Sequence, residues 1–268
     1  IGDNADESAY ASAVIRKCGL LGVEAELHRF PEDVTSDEYL AAFRKANGND
    51  EVDGLLLLQP LPRHIEAETI KREIHPAKDV DGFGYTNMAY LYAGDRRALP
   101  PCTAQAVIEI LEHTGVELSG INAAVVGRSP VVGKPLSLLL LARNATVTMC
   151  HSRTRDLADI CRRADLLVFP SVYDNAPMVV REAAAMGTPA LLVRGSCSAE
   201  GVTHGDNGFL CEADPASIAS GIMEALPRAA RAGARARDTI PIPWALLMEQ
   251  VLERYRRLIA RHAERSPA

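Results

Sequence analysis

The feature that most restricts the fold of this chain is an apolar run that ends in a glycine turn and continues as a helix. Residues 123–126 read Ala-Ala-Val-Val, residues 127–133 read Gly-Arg-Ser-Pro-Val-Val-Gly, and residues 138–142 are again apolar. A buried strand that enters a helix through glycines is typical of the unit from which doubly wound α/β domains are built. The pattern predicts a strand over 122–126 and a helix that begins at 133.

Short strands and helices alternate on both sides of this unit. Downstream we expect strands over 145–150, 166–169 and 190–193, and helices over 157–163, from 177, from about 214 and after Trp244. Upstream we expect helices over 7–21, from the Thr35 capping box to about 47, and from an N-cap at Thr103 to 113, with strands over 23–29 and 53–58. This alternation predicts an α/β fold with parallel sheets covered by helices.

The length of 268 residues suits two domains. We expect a first domain over 1–102 and a second, Rossmann-like domain over 103–268, entered through the helix at Thr103. The chain opens at Ile1 without a methionine and continues directly into Gly-Asp-Asn, which are loop residues, so we expect an upstream segment to be missing and the first domain to lack its first strand. Such a gap exposes apolar neighbours, and a homodimer would cover them.

Charge and composition exclude several classes of partner. A formal net charge of -6 argues against nucleic acid, and the Ala/Arg run over 228–237 is typical of a solvated helix face or a linker. The six cysteines form neither Cys-x-x-Cys pairs nor a Cys/His cluster, so we expect no disulfide framework and no metal site. The longest apolar runs are too short to span a membrane. We expect a soluble, cytoplasmic protein.

The glycine turn predicts a dinucleotide site, because backbone amides at a helix N-terminus bind a pyrophosphate when no side chain intervenes. The turn is not a strict Gly-x-Gly-x-x-Gly, and a plain tight turn is the alternative. The candidate cofactor-binding residues of this turn are Gly127, Arg128, Ser129, Val132, Gly133 and Pro135.

The end of the next strand favours NADP over NAD. An NAD site usually has an acidic residue at this position to bind the ribose hydroxyls. Here residues 150–154 read Cys-His-Ser-Arg-Thr, and the first carboxylate is Asp156. Arg128, Ser152 and Arg153 are suited to charge-assisted hydrogen bonds with a 2′-phosphate. The alternative is that the arginines only lie in solvent.

Several strings together resemble the methylenetetrahydrofolate dehydrogenase/cyclohydrolase enzymes, over about residues 1–168. The matching strings are IGDNADESAY, DGLLLLQPLPRHI, HPAKDVDGF, PPCT, GRSPVVGKP and ATVTMCHSRT. The resemblance implies oxidation of 5,10-methylenetetrahydrofolate to the 5,10-methenyl form by hydride transfer to NADP. In many members the same site then hydrolyses the methenyl product to 10-formyltetrahydrofolate.

The resemblance also implies roles for three residues. Tyr10 matches an active-site tyrosine near the pterin, and Asp81 matches the carboxylate that anchors the folate. A turn-capping aspartate before Gly82 is the alternative for Asp81. The glutamine that partners the catalytic lysine of the family is displaced by one residue, since Leu58 stands at its position. Gln59 follows and is the third candidate catalytic residue, although on an extended strand its side chain would point to the other side unless the loop has already turned.

The catalytic lysine of the family is missing. It would stand one helical turn after Tyr10, where this chain has Val14. A lysine with a shifted pKa moves protons during hydrolysis of the methenyl bridge, and valine does not. Lys17 follows two turns after Tyr10 on a similar helix face. We expect it to be a surface residue, and the alternative is that it reaches into the site. We therefore expect dehydrogenation to persist and cyclohydrolase activity to be weak.

The last third of the chain contains the strings FPSVYD, MVVREA, GTP, GVT, NGFL and PIPW. On these strings the chain resembles, from about residue 169, the C-terminal part of a GT-B (family 4) glycosyltransferase of the retaining type. Glu182 matches the contact to the ribose of a sugar nucleotide, and Asp174 stands where an earlier acidic residue is common. The resemblance implies a chimeric second domain. Two alternative functions follow from it, which are a sugar-nucleotide-binding module and a folded but inactive chimera.

Overall fold

The computed structural model describes residues 1–2, 5–172, 177–240 and 253, with the side chains of 5–7 left aside. These residues form two compact units. The first contains 1–109 and 118–149, and the second contains 110–117 and 150–268. These units have other bounds than the domains predicted from the sequence. The domain boundary after residue 102 stays a prediction.

The first unit is mainly helical and carries one small sheet. Its elements are α1 (Ala5–Leu20), α2 (Ser36–Asn47), α3 (Ala67–Glu73), α4 (Tyr85–Ala93), α5 (Cys102–His113, whose last residues belong to the second unit), β1 (Asn122–Val126), α6 (Gly133–Leu141) and β2 (Thr146–Cys150, whose last residue does so too). Strands β1 and β2 are neighbours in a two-stranded sheet. A core cluster centred on Phe43, Ile70 and Phe83 packs between the upstream helices.

The strands predicted over 23–29 and 53–58 are wrong. Residues 23–29 have no regular secondary structure and no ladder partners, and Val23 is 54% exposed. Within 53–58 only Leu55 forms a bridge, parallel to Asp79, where its N–H donates to the Lys78 carbonyl over 2.6 Å. The apolar side chains of both segments suit a sheet, and those over 53–58 form a continuous run, but a strand forms only when a neighbour supplies its hydrogen bonds.

A buried carboxylate organises the chain around this bridge. Asp79 is 1% exposed, and its Oδ1 accepts the Phe83 N–H over 2.9 Å while its Oδ2 accepts the Gly84 N–H over 2.8 Å. The Nδ2 of Asn87 on α4 donates to the same Oδ2 over 2.9 Å, and its Oδ1 accepts the N–H of Leu99. The turn over 79–84 and the loop before α5 are thus joined through one buried network.

The capping box at the start of α2 is confirmed. The Thr35 hydroxyl accepts the Glu38 N–H over 3.3 Å, and the Glu38 carboxylate accepts the Thr35 N–H over 3.0 Å. The N-cap predicted at Thr103 is wrong, because α5 already begins at Cys102 and Thr103 lies in its first turn. The Pro-Pro pair before Cys102 ends the preceding loop one residue earlier than the threonine suggested.

The second unit is a parallel sheet with helices. Its strands β3 (Leu167–Phe169), β4 (Ala190–Val193) and β5 (Phe209–Cys211) pair in parallel in that order. Its helices are α7 (Leu157–Arg163), α8 (Met178–Met186), α9 (Pro215–Ala225) and α10 (Ala229–Thr239). All four residues of β4 are buried. This confirms the predicted α/β class with parallel sheets, while the helix predicted after Trp244 lies outside the described residues.

Helix α10 contains most of the Ala/Arg run, and the run forms a solvated helix face as predicted. Its buried positions are Ala229, Ala232, Gly233 and Ala236. A side chain at Gly233 would collide with the Gly187 carbonyl that ends α8. Arg235 faces outward and forms an ion pair with Asp206 over 3.3 Å. The alanines therefore form the packing surface, and the arginines keep the opposite face in water.

Across the described residues, no helix is long and apolar enough to cross a membrane.

We expect Thr35→Ala to lower the free energy of unfolding by about 1 kcal/mol, because the first turn of α2 loses its cap. Thr103→Ala is the matched control, since Thr103 is exposed and lies inside α5. It should change stability by less than about 0.5 kcal/mol. Urea unfolding of the two variants measures both values, and equal losses would contradict the assignment of the caps.

The benefit of the Thr35 cap should also depend on pH. Hydrogen bonds with the Thr35 hydroxyl, and then with its backbone N–H, lower the pKa of Glu38. A carboxylate whose folded pKa is lowered stabilises the protein above its unfolded pKa, and this contribution disappears as the pH falls through the folded pKa. The stability difference between the parent chain and Thr35→Ala should therefore shrink below about pH 4. A difference that stays constant down to pH 2 would refute this linkage.

Candidate functional site

Asp81 is held at the start of a helix. It is half-buried in the turn that follows Asp79, and its Oδ1 accepts the N–H of Cys102 over 3.1 Å. Cys102 is the first residue of α5, so the carboxylate lies at the positive end of that helix. Both readings of Asp81 thus remain compatible with the geometry, because a carboxylate fixed by one oxygen keeps a second oxygen for a ligand.

Glycine at position 82 allows the turn to approach α5 closely. Gly82 has a φ of 59°, in the left-handed region, and a side chain here would collide with the Leu99 carbonyl and lie 2.8 Å from the Pro101 nitrogen. The turn therefore packs directly on the backbone that leads into α5. This contact and the buried Asp79 network fix the position of Asp81 from both sides.

The thiol of Cys102 is a further polar group beside Asp81. It donates to the Val80 carbonyl over 3.4 Å. Partial burial raises the pKa of Cys102, and the negative charge of Asp81 and a hydrogen bond to it raise it further. The thiol is therefore protonated at neutral pH and acts as a donor rather than as a nucleophile. The sequence marked this residue only through the PPCT string.

The other two predicted catalytic residues lie on separate segments of the first unit. Tyr10 is on α1 and is 56% exposed. Gln59 is exposed in the loop after residue 58, where a cis peptide bond joins it to Pro60. Val14 is half-buried one turn after Tyr10, and Lys17 is exposed. The convergence of Tyr10, Gln59 and Asp81 on one substrate stays a prediction.

The glycine turn between β1 and α6 is closed on itself. Gly127 has a φ of 141°, and a side chain on Gly133 would collide with the Gly127 carbonyl. The start of α6 therefore lies against the end of β1 with no space for a larger residue at 133. This is the close strand–helix packing that a pyrophosphate-binding turn requires.

Ser129 orders the inside of this turn. Its hydroxyl accepts the Val132 N–H over 3.0 Å, and its carbonyl accepts the Lys134 N–H over 3.1 Å. Val132 is the N-cap of α6 and provides no side-chain cap, while Pro135 is buried in the first turn. Arg128 is exposed next to this helix end. An ordered turn, an exposed arginine and a helix N-terminus together favour an anionic ligand.

A second ordered turn follows β2. The Thr154 N–H donates to the His151 carbonyl over 2.8 Å, and the His151 N–H donates to the Thr154 hydroxyl over 2.7 Å. The Arg153 N–H donates to Nδ1 of His151 over 3.1 Å. Ser152 and Arg153 are exposed at the tip of this turn, directly after the strand. Both side chains are therefore presented to solvent on a fixed backbone.

The predicted cofactor-binding residues belong to two different units. Gly127 to Pro135 lie together in the first unit, whereas Ser152 and Arg153 belong to the second unit. Joint binding of one phosphate by Arg128, Ser152 and Arg153 therefore stays a prediction. Glu182 is exposed on α8, and Asp174 lies outside the described residues.

The described part of the chain contains no group of three His, Cys, Asp or Glu residues that could hold a metal ion. Asp79 and Asn87 support the turn that carries Asp81 through their buried hydrogen bonds, and sequence reasoning missed both of them. The Asp-x-Asp-Gly spacing gave a weak signal for Asp79, and no local pattern marked Asn87.

Two family models match the chain. The catalytic domain of tetrahydrofolate dehydrogenase/cyclohydrolase matches residues 1–81, and the NAD(P)-binding domain of the same family matches residues 101–194. The second match continues past residue 168, where the resemblance was expected to end. Strand β4 therefore falls within the family match.

Curated relatives and solved structures agree with these matches. A "Bifunctional protein FolD" from Alkaliphilus oremlandii is 41% identical over 209 residues, covering 78% of this chain and 73% of the relative. "Bifunctional protein FolD 1" from Rubrobacter xylanophilus is 47% identical over 167 residues, covering 62% of this chain and 58% of the relative. The methylenetetrahydrofolate dehydrogenase/cyclohydrolase of Campylobacter jejuni is 27% identical, with a TM-score of 0.64, and the match covers 88% of this chain and 84% of that structure.

The glycosyltransferase likeness has less support. A glycosyltransferase from Rickettsia africae covers 59% of this chain with a TM-score of 0.47, which is too low to support a relationship. The family matches and the Alkaliphilus relative, by contrast, cover both units. The chain therefore belongs to the tetrahydrofolate dehydrogenase/cyclohydrolase family.

Proposed function

We propose that this protein oxidises 5,10-methylenetetrahydrofolate to 5,10-methenyltetrahydrofolate with NADP as the hydride acceptor. The observation that carries the proposal is the closed glycine turn at the start of α6, within the segment that matches the NAD(P)-binding domain of the family. The bifunctional relatives support the same reaction. The glycine turn would hold NADP, which when bound would supply the acceptor for the hydride that leaves the methylene carbon of the folate.

The residues of this chain bind and orient in this reaction. Hydride transfer needs positioning more than a strong base. Asp81 is fixed at the N-terminus of α5 by the Cys102 N–H, and the rest of its carboxylate accepts hydrogen bonds from the amide and amino groups of the pterin. Tyr10 packs near the pterin from α1. The cyclic substrate is thereby held with its methylene bridge toward the cofactor.

The turn after β2 selects NADP. Ser152 and Arg153 are exposed on an ordered backbone, and residues 150–154 carry no carboxylate. A 2′-phosphate accepts charge-assisted hydrogen bonds from a guanidinium and a hydroxyl, whereas NAD offers only neutral ribose hydroxyls at this point.

Cyclohydrolase activity is weak in this proposal. The position of the catalytic lysine is held by the half-buried Val14, and Gln59 follows the column of the family glutamine. The chain therefore lacks the ammonium group that would transfer a proton during addition of water to the methenyl bridge.

We also propose a cytoplasmic homodimer and a glycosyltransferase-like origin for the segment from about residue 169. The exposed apolar side chains of Leu20, Leu21 and Val23 support an interface in the first unit. The family match extends to residue 194, so its end supports a foreign origin only for the part of this segment that follows residue 194. Neither proposal changes the reaction assigned above.

We expect Asp81→Asn to reduce kcat/KM for methylenetetrahydrofolate about a hundredfold, mainly through KM, because two hydrogen bonds to a charged acceptor become weaker or reversed. Steady-state formation of NADPH measures this effect. Asp50→Asn removes an exposed carboxylate of the same unit and should leave kcat/KM unchanged. Absence of NADPH formation in the parent protein would contradict the proposed function itself.

Cofactor choice should depend on Arg153. We expect Arg153→Gln to lower the ratio of kcat/KM for NADP to that for NAD about tenfold, because one charged contact to the 2′-phosphate is lost. Arg155→Gln is the matched control, as this arginine is also exposed but lies beyond the turn. Equal effects of the two variants would show that Arg153 does not recognise the 2′-phosphate of NADP.

Val14→Lys should raise hydrolysis of 5,10-methenyltetrahydrofolate at least about tenfold, because it restores a proton-transferring group one turn after Tyr10. Loss of the methenyl absorbance measures the rate after correction for the uncatalysed reaction. Ala13→Lys places the same charge on a neighbouring exposed position and should give no gain. No gain in a Val14→Lys protein that still reduces NADP would overturn the role assigned to this position.

A further inference from the structure

A small cavity lies in the second unit beside the first turn of α8. Helix α8 follows β3 along the chain, and the segment 197–200 follows β4. Arg181 of α8 and Cys197, Ser198 and Glu200 of that segment line the cavity, which has a volume of about 10 Å³. Since β3 and β4 are parallel, the segments after them meet at the carboxyl edge of the sheet, where α/β proteins commonly bind ligands.

The hydroxyl of Ser198 is a buried polar group in need of a partner. Ser198 is 5% exposed, and its Oγ has no hydrogen-bond partner among the described residues. By contrast, the hydroxyl of nearby Ser196 donates to the Val193 carbonyl over 2.7 Å. A buried hydroxyl that has lost its water and gained no partner is costly, and the cavity offers space for about one oxygen atom next to it.

The surroundings favour an oxygen that carries negative charge. Helix α8 begins at Met178 with Pro177 as its N-cap, and no side chain caps it among the described residues. The N–H of Val180 donates to the Pro177 carbonyl over 3.2 Å, so the turn is formed and its earlier amides point away from the helix. Arg181 lies in the first turn of the helix and lines the cavity, so its positive charge and the positive helix end are beside the same space.

Among the described residues, Glu200 is the one acidic residue that lines the cavity, and it limits the orientation of an anion. Its side chain is exposed, so solvent screens its charge. Ser198 is buried and Arg181 is half-buried, so the two donors lie on the inner side. An anion therefore binds with one oxygen toward Ser198 and its remaining oxygens toward Arg181 and the solvent.

We propose that this cavity is a phosphate-binding site, in which one phosphoryl oxygen accepts the Ser198 hydroxyl and another pairs with Arg181. A phosphate group fits better than a carboxylate because it presents three oxygens to donors on different sides. The phosphate belongs either to the dinucleotide cofactor or to a separate phosphorylated small molecule. The site does not depend on the folate reaction proposed above.

Calorimetric titration of the full chain with inorganic phosphate at constant ionic strength tests the proposal. We expect saturable binding of one phosphate per chain. Ser198→Ala and Arg181→Gln should each weaken it about tenfold, as each removes one bond to a charged ligand. The matched controls Ser220→Ala and Arg163→Gln change exposed residues of the same unit that do not line the cavity, and they should bind as the parent does.

Competition with NADP identifies the source of the phosphate. Mutual exclusion, with weaker NADP binding in Ser198→Ala, assigns the site to the cofactor, and simultaneous binding assigns it to a separate ligand. Non-saturable heats, or equal affinity in the parent and in a Ser198→Ala variant with an unchanged Tm, would show that only water fills the cavity and would overturn the proposal. These results are independent of folate turnover, so they separate failure here from failure of the proposed reaction.

Discussion

The first unit depends on one buried carboxylate. Asp79 directs its two oxygens to the N–H groups of Phe83 and Gly84 and to the amide of Asn87, and so converts a short loop into a fixed turn. Neighbouring Lys78 donates to the carbonyls of Asn47 and Asn49 at the end of α2, so the same segment is tied to a second helix. A charge removed from water needs several donors, and the chain supplies them from both sides of the turn. Asp81 inherits its position from this arrangement.

Elements with local signals were predicted well. The ranges of β1, α7 and β4 agree with the sequence prediction, and the capping box located α2, because glycines, caps and short apolar runs act on their immediate neighbours. The strands at 23–29 and 53–58 failed for a different reason. Their side-chain pattern is suitable, but a ladder depends on a partner that is distant in sequence, and composition does not reveal whether that partner is present.

The residues of the candidate site also differ in whether a local sequence signal marks them. Sequence reasoning recognised Gly127, Gly133 and the turn after β2 because neighbouring residues in the sequence determine their conformations. Asn87 was missed because its importance comes from an amide that reaches Asp79 and Leu99 across the fold. The same holds for Ser198, whose buried oxygen has no partner among the described residues and has no sequence signature. Hydrogen bonds between buried polar groups of different segments are thus the part of a site that cannot be predicted from a single sequence.

The packing of α10 makes its length unusually sensitive. Only alanine and glycine occupy the buried side of this helix. Gly233 lies against the carbonyl group of Gly187, the residue that ends α8. Each residue of an α-helix advances the side chains by roughly 100° around the axis. An insertion or deletion of one codon within 229–236 would therefore rotate arginines into a seam that accepts no side chain larger than a methyl group. The packing therefore restricts the number of residues in α10 more strictly than it restricts the identity of the residues on its outer face.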